Sequence, residues 1–395
     1  MNTNITKELP NSLFYRKKEN ISLRIQEKIK CRKNKSQDRK VSPTNKNKYS
    51  MNILFRKRVN NSIDHFNDSA IKRNKISNKK NNIMQNYLYD ILISTLPFYC
   101  LNFNDIIYNL NNIIYYSEDS TLYRGKYFHN DICIKEIKNI NILKKDELNK
   151  IKNEIDISIK LHHKNILNTF GFCFNQKKTK IFIISEYMKN KSLKIFIDSN
   201  KRNISLKQKL LFIYEISLAI EYMHSRLYKI LHRDIKSSNI LLDENLHCKL
   251  CDFGMSKYYY NNNKINSNNQ ESNNNNLNTN YQTNSQSTLF WMSPEYLCNG
   301  IINEKSDIYS FGILIWEIFM EDTSPYKNIN INDYILGNKD IVYNNRPIIN
   351  DIYFQECPEM KELMQLMWNQ DYNKRPDIEY ILNLLENLNN KYPFL

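Results

Sequence analysis

Apolar residues recur along this chain with two different periods. Ile132-Cys133-Ile134-Lys135-Glu136-Ile137 is rich in β-branched residues and predicts a strand. From Leu148 to Leu161 the period lengthens: Leu148, Ile151, Ile155 and Ile159 recur at helical spacing. Lys180-Ile181-Phe182-Ile183-Ile184 predicts a second, buried strand. From Leu206 onward the pattern is mainly helical, through Leu210–Met223, Ile308–Phe319, Met360–Trp368 and Ile378–Leu388. A strand-rich portion therefore precedes a larger helical one.

Two stretches break this patterning. Residues 1 to about 95 are rich in Asn, Lys, Ser and Arg, as in Asn45-Lys46-Asn47-Lys48 and Lys72-Arg73-Asn74-Lys75. Such a segment buries too little to offset its ordering entropy, so disorder is expected, apart from one or two amphipathic turns between Ile21 and Ile29. The second runs from about residue 258 to 286 and includes Asn261-Asn262-Asn263 and Asn273 through Asn276; inside a folded domain it predicts an exposed insertion.

Charge marks the first boundary independently. Of the net charge of +16, residues 1–100 supply nearly all, with 22 Lys and Arg against 7 Asp and Glu. Such an arm reads first as a solvated linker, and as a partner surface only for weak contact with polyanions. No nucleic-acid-binding motif accompanies it. The eight cysteines are scattered; Cys248 and Cys251 form a C-x-x-C on a predicted strand, with no second pair to complete a zinc site. No apolar run approaches the length of a membrane span, residue 2 is Asn rather than the glycine that myristoylation needs, and no secretory h-region opens the chain. The expectation is a soluble, intracellular protein, cytoplasmic or nuclear. The excess of Asn, Ile, Lys and Tyr with 6 glycines fits an AT-rich genome, as in some protozoa.

The chemistry concentrates in His232-Arg233-Asp234-Ile235-Lys236-Ser237-Ser238-Asn239, followed by Asp252-Phe253-Gly254. Asp234 can receive the proton of an attacking hydroxyl, Lys236 can neutralise a moving phosphate, and Asn239 and Asp252 can hold magnesium. These two motifs at this spacing resemble the protein kinase family, over residues 100–392. The resemblance implies an α+β bilobal fold, with a β-rich N-lobe at about 100–188 carrying one key helix and a larger helical C-lobe at about 189–392. It implies ATP and Mg²⁺ as cofactors and protein substrates. Motif wording, including Trp291-Met292-Ser293-Pro294-Glu295 and Trp316-Glu317, resembles the tyrosine-kinase-like group, which mostly phosphorylates Ser and Thr. Lys236 and Thr288, which touches both Asp234 and Lys236 in Ser/Thr kinases, support that specificity.

By the same resemblance, Lys135 of Ile-Cys-Ile-Lys pairs with ATP phosphates and with helical Glu154. Leu122, Cys133, Ser185, Glu186, Met188 and Leu241 belong to nucleotide binding, with Ser185 as a small gatekeeper. Glu295 pairs with Arg375, and Asp307 braces the catalytic loop. Arg233 is placed to meet a phosphate on the activation segment between Asp252 and Glu295; Thr279, Tyr281, Thr283, Ser285 and Ser287 are the candidates, Ser285 and Ser287 foremost. One departure stands out. The three positions of the family's Gly-rich loop fall on Tyr115, Ser117 and Ser120, where glycine would serve in conformations that a Cβ penalises. Weakened phosphate binding is expected there, and with it a competing reading as a pseudokinase scaffold.

Overall fold

The structure, a computed structural model, describes residues 87–140, 142–201, 203–259, 286–327 and 345–395. The extension up to residue 86, with the turns expected at Ile21–Ile29, lies outside these residues, as does most of the Asn-rich insertion. Thr279, Tyr281, Thr283 and Ser285 also lie outside, and so does the side chain of Ser287.

The first half is an antiparallel sheet. Strands β1 (Ile106–Tyr116), β2 (Ser120–Tyr127), β3 (Asn130–Ile137), β4 (Thr169–Phe174) and β5 (Ile181–Glu186) stand in the order β1-β2-β3-β5-β4. Successive side chains of a strand point to opposite faces. Register places Cys133 opposite Ser185, Lys135 opposite Ile183 and Ile137 opposite Ile181. Those odd-numbered positions share one face, and Ile137, Ile181 and Ile183 pack there against Leu148, Ile151, Ile155 and Ile159 of a helix. The alternate residues Ile132, Ile134, Phe182 and Ile184 fill a second core on the opposite face. Parity alone thus carries Lys135 toward the helix that bears Glu154.

A helix over residues 87–95 (α1) precedes the sheet, and Leu88, Leu92 and Leu96 are buried in the core between sheet and helix. This corrects the expectation that disorder extends to about residue 95. Leu88, Leu92 and Leu96 recur every four residues, a legible helical stripe inside a polar arm. The chain then crosses β4, where Leu101 N–H donates to Phe172 O at 2.7 Å. Gly171, at φ 154°, lies beneath this crossing; a Cβ there would meet Tyr99 O at 2.2 Å.

The helix carrying Glu154 is α2 (Lys145–Lys160), started by Glu147, whose carboxylate accepts from Lys144 N–H at 2.7 Å. After β5 the architecture becomes helical: α3 (Leu193–Ser199), α4 (Leu206–His224), α5 (Pro294–Asn299), α6 (Glu304–Met320), α7 (Pro358–Met367) and the closing helix α8 (Ile378–Lys391). Short pairs β6–β9 (Lys229–Leu231 with Lys257–Tyr259) and β7–β8 (Ile240–Leu242 with Cys248–Leu250) lie between α4 and α5. Helix α6 is apolar almost all round, as a helix at the centre of a domain must be. It nevertheless buries Asp307 and Glu317 completely.

Leu92 has no exposed surface, so Leu92→Ala should cost roughly 2–5 kcal/mol of unfolding free energy. Leu110→Ala, on the exposed part of β1, should change it by less than about 0.5 kcal/mol. Chemical denaturation measures both, and equal effects would remove α1 from the core.

Candidate active site

The site is assembled from residues that sequence order keeps far apart. Lys135 Nζ lies 2.6 Å from Glu154 Oε1, joining β3 to α2. Burial alone would weaken the proton affinity of this amine, but the carboxylates of Glu154 and Asp252 more than offset it and hold the ammonium form. Burial likewise favours the neutral acid at Asp252. Lys135, the Gly254 N–H, His232 and Lys236 outweigh it and keep that carboxyl below the usual range. Asp252 adopts φ 65° and ψ 78°, a left-handed conformation uncommon for a residue with a Cβ. Its Oδ1 accepts from Gly254 N–H at 3.3 Å, and Asn153 of α2 donates to Ser256 O at 2.9 Å.

In the catalytic loop, Asp234 Oδ2 accepts from Lys236 Nζ and from Asn239 Nδ2, each at 2.8 Å. Lys236 Nζ also donates to Thr288 Oγ1 at 2.9 Å. Asn239 Nδ2 bonds Asp234 O as well, so the amide turns its oxygen away from Asp234. Asp234 Oδ1 is buried with no protein partner. Lys135, Glu154, Asp234, Lys236, Asp252, Thr288 and Ser120 all line one cavity of about 330 Å³.

The residues expected around the base are gathered differently. Leu122, Cys133 and Ser185 follow one another across β2, β3 and β5, through the pairs Leu122–Lys135 and Cys133–Ser185. Ser185 and Glu186 belong to β5 itself rather than to a segment after it. Glu186 turns to Lys249 at 2.8 Å, and Met188 is buried. Leu241 reaches this end because β7 is stitched to the chain after Met188: Asn190 N–H donates to Leu242 O at 3.1 Å and Leu242 N–H to Lys191 O at 2.8 Å. None of these six residues lines the 330 Å³ cavity.

The loop expected to suffer from its missing glycines takes another form. Ser117 N–H donates to Ser120 O at 2.9 Å, and Ser120 N–H donates to Ser117 Oγ at 3.1 Å, closing a tight hairpin. Tyr115, Ser117 and Ser120 all stay outside the left-handed region, and Tyr115 points into solvent. Strain from a Cβ at these positions is therefore corrected: the hairpin does not use a conformation that only glycine tolerates.

Supports of the site were partly foreseen. Arg375 grips Glu295 through two bonds of 2.8 Å, and both side chains are buried. Asp307 accepts from the N–H groups of His232 and Arg233 at 2.9 and 2.8 Å, and contacts His224 Nε2 at 2.9 Å. Two supports escaped the sequence reading. Arg233 donates to Tyr296 OH at 2.8 Å and to Met255 O at 3.1 Å. Glu317 accepts from Ser237 N–H at 3.0 Å, Ser237 Oγ at 2.5 Å and Trp291 Nε1 at 2.9 Å, tying the catalytic loop to the segment before Pro294. Its signal was available, as a lone carboxylate deep in the apolar run of α6.

Asp252, a carboxylate held ionised and open to the cleft, and the amide oxygen of Asn239 are hard oxygen donors and fit magnesium. Among the described residues no cluster of three or more His, Cys, Asp or Glu forms a metal site, and no helix is long and apolar enough to cross a membrane.

Comparison with known proteins agrees with this geometry. Residues 117–385 match the protein tyrosine and serine/threonine kinase family. The dual specificity protein kinase shkA of Dictyostelium discoideum is 29% identical over 271 residues, covering 68% of this chain and 47% of its own length. A provisionally named serine/threonine-protein kinase/receptor, R826, of Acanthamoeba polyphaga mimivirus is 32% identical over 265 residues, covering 67% of this chain and 14% of its own. A G-type lectin S-receptor-like serine/threonine-protein kinase of Arabidopsis thaliana is 36% identical over 219 residues, 53% of this chain and 24% of its own. The chain thus spans less than half the length of each of these curated relatives.

Burial pushes the Glu317 carboxyl up to about 7 from its ordinary 4.5, against its hydrogen-bond donors. A raised folded pKa stabilises fully below the unfolded value, and that contribution is lost as pH rises through about 7. Between pH 5 and 8, wild-type unfolding free energy should therefore fall relative to Glu317→Gln, by at most about 3 kcal/mol. Parallel pH profiles of the two proteins in denaturant titrations would refute the assignment.

Proposed function

The chain belongs to the protein tyrosine and serine/threonine kinase family, and from that premise we propose that it is an ATP- and magnesium-dependent kinase acting on Ser and Thr hydroxyls of proteins. The observation that carries this reading is the state of Asp234. One carboxylate oxygen is fixed by Lys236 and Asn239, while the other is buried in the cleft with no protein partner. A general base needs that arrangement: an oriented carboxylate with one acceptor left for the substrate.

In the proposed reaction the substrate hydroxyl gives its proton to Asp234 Oδ1 as its oxygen bonds the γ-phosphorus, and the bond from that phosphorus to the β-phosphate oxygen breaks to release ADP. Lys236 stands 2.8 Å from Asp234 Oδ2, so its charge lies beside the oxygen where negative charge moves. Thr288, bonded to Lys236, positions that ammonium and carries the Ser/Thr preference. Lys135, kept cationic and oriented by Glu154, meets the α- and β-phosphates. Asp252 and Asn239 would hold magnesium, which neutralises the polyphosphate when bound. Leu122, Cys133, Ser185, Glu186, Met188 and Leu241 receive the base. The intact contacts of Lys135 and Asp234 favour catalysis over the scaffold reading.

Finer features of the proposal rest on sequence. Motif wording supports the tyrosine-kinase-like group, and composition supports an AT-rich protozoan source. We assign the catalytic domain to residues 100–392 with α1 as its added first element, the insertion at about 258–286 to the activation segment, and the basic arm to weak polyanion contact. The intracellular setting, cytoplasmic or nuclear, is proposed from the scattered cysteines.

Asp234→Asn and Lys135→Met should each lower phosphoryl transfer by 10²–10⁴, roughly 3–5 kcal/mol of barrier, with circular dichroism unchanged. Near-wild-type turnover of a generic Ser/Thr peptide by either variant would defeat the reading. Ser185 is buried opposite Cys133, so Ser185→Met should fill the space behind the base. Bulky ATP-competitive inhibitors should then lose roughly 10–200-fold in potency, more than slim ones do. Equal losses for both would mean that Ser185 does not border that pocket.

A further inference from the structure

The phosphate end of the cleft contains a cation that the scheme above leaves unused. Lys138 directly follows β3, and its side chain lines the same cavity as Lys135, Asp234, Lys236 and Asp252. Its main-chain N–H donates to Asp119 O at 3.1 Å. Its ammonium lies 3.4 Å from Ser117 O and 4.1 Å from the centre of the Tyr116 ring. The first is a long hydrogen bond and the second a weak contact at a solvated site, so this side chain is lightly held. Lys135 and Lys236 differ, being fixed by carboxylates at 2.6 and 2.8 Å. Among the described residues no ion pair engages Lys138.

The hairpin above it spends two of its donors on itself. In a glycine-rich loop, free N–H groups face the phosphates. Here the N–H groups of Ser117 and Ser120 are both engaged inside the turn. Asp119 also lines the cavity and adds negative charge where a polyanion must sit. Formal positive charge at this end comes from side chains, the backbone N–H groups of the turn carrying only partial charge.

We propose that Lys138 is a nucleotide-binding residue: its ammonium leaves Ser117 O and contacts the terminal phosphates of a bound nucleoside triphosphate, in place of the loop amides. This rests on the kinase reading, since only a phosphate-bearing nucleotide gives the cation a ligand there. Because its backbone is pinned to Asp119, the lysine also travels with the hairpin, so the cation and the loop approach the phosphates together.

The test is calorimetric titration of the full chain with ATP, ADP and adenosine, each with magnesium, for wild type, Lys138→Met and Lys138→Arg. Lys138→Met should weaken ATP on the order of tenfold or more, ADP less, and adenosine not at all, with Lys138→Arg restoring most of the ATP affinity. A lysine that only clamps the hairpin would weaken all three ligands alike, and that result overturns the proposal, as does an unchanged ATP affinity in a variant whose melting curve matches wild type. If the wild-type chain binds none of the three, the kinase reading itself falls and Lys138 with it. Binding by wild type with equal binding by Lys138→Met removes only Lys138.

Discussion

The carboxylate of Asp307, buried in the middle of α6, sets the geometry on which the site depends. It accepts the N–H groups of His232 and Arg233 and meets His224. Burial would favour its neutral form, but His224 and the Arg233 N–H outweigh that and hold the carboxyl below its ordinary range. Arg233 is thereby kept at φ 68°, a left-handed conformation that costs on the order of 1–3 kcal/mol in a residue with a Cβ. The chain reversal this imposes aims Asp234 into the cleft and turns Arg233 to Tyr296. Removing the carboxylate would strand three donors in a dry interior, so the loop and the core stand or fall together.

The same helix governs the other side of the site. One residue before Asp307, Ser306 donates to Glu295, which Arg375 also holds. Ten residues after Asp307, Glu317 bonds Ser237 and Trp291. The catalytic loop and the segment around Pro294 are therefore both referred to α6, rather than to each other. In the N-lobe the equivalent reference is α2, whose Leu148, Ile151, Ile155 and Ile159 share one buried cluster with Leu88 and Leu92 of α1 and with Ile137, Ile181 and Ile183 of the sheet, so that Glu154 meets Lys135 from a firmly packed helix.

Much of this was legible in the chain because phosphoryl transfer demands particular groups at particular separations. His232 to Asn239 and Asp252 to Gly254 could be placed as motifs and the Lys135–Glu154 pair from the family resemblance they carry, while β3, β5 and α2 followed from the apolar pattern. What could not be placed depends on neighbours brought in from afar. Tyr296 is an ordinary aromatic until the fold sets it beside Arg233. Ser117 and Ser120 looked like damaged glycine positions because a motif specifies residues and not the turn they make; two hydroxyls can close a hairpin that needs no left-handed residue. Helix α1 was overlooked for another reason: the basic arm dominated the composition of its surroundings, while its own leucine spacing was sufficient to find it.

The cysteines around the site have a consequence for its reactivity. Neither Cys133 nor Cys251 is in a disulfide. Cys251 immediately precedes Asp252, and burial followed by the neighbouring Asp252 charge raises its pKa, with Lys135 opposing. Burial pushes Cys133 up to about 11. Thiolate is the form that attacks peroxides and alkylating agents, and at neutral pH these two residues supply almost none of it. The two sulfurs thus behave as small apolar groups rather than as nucleophiles.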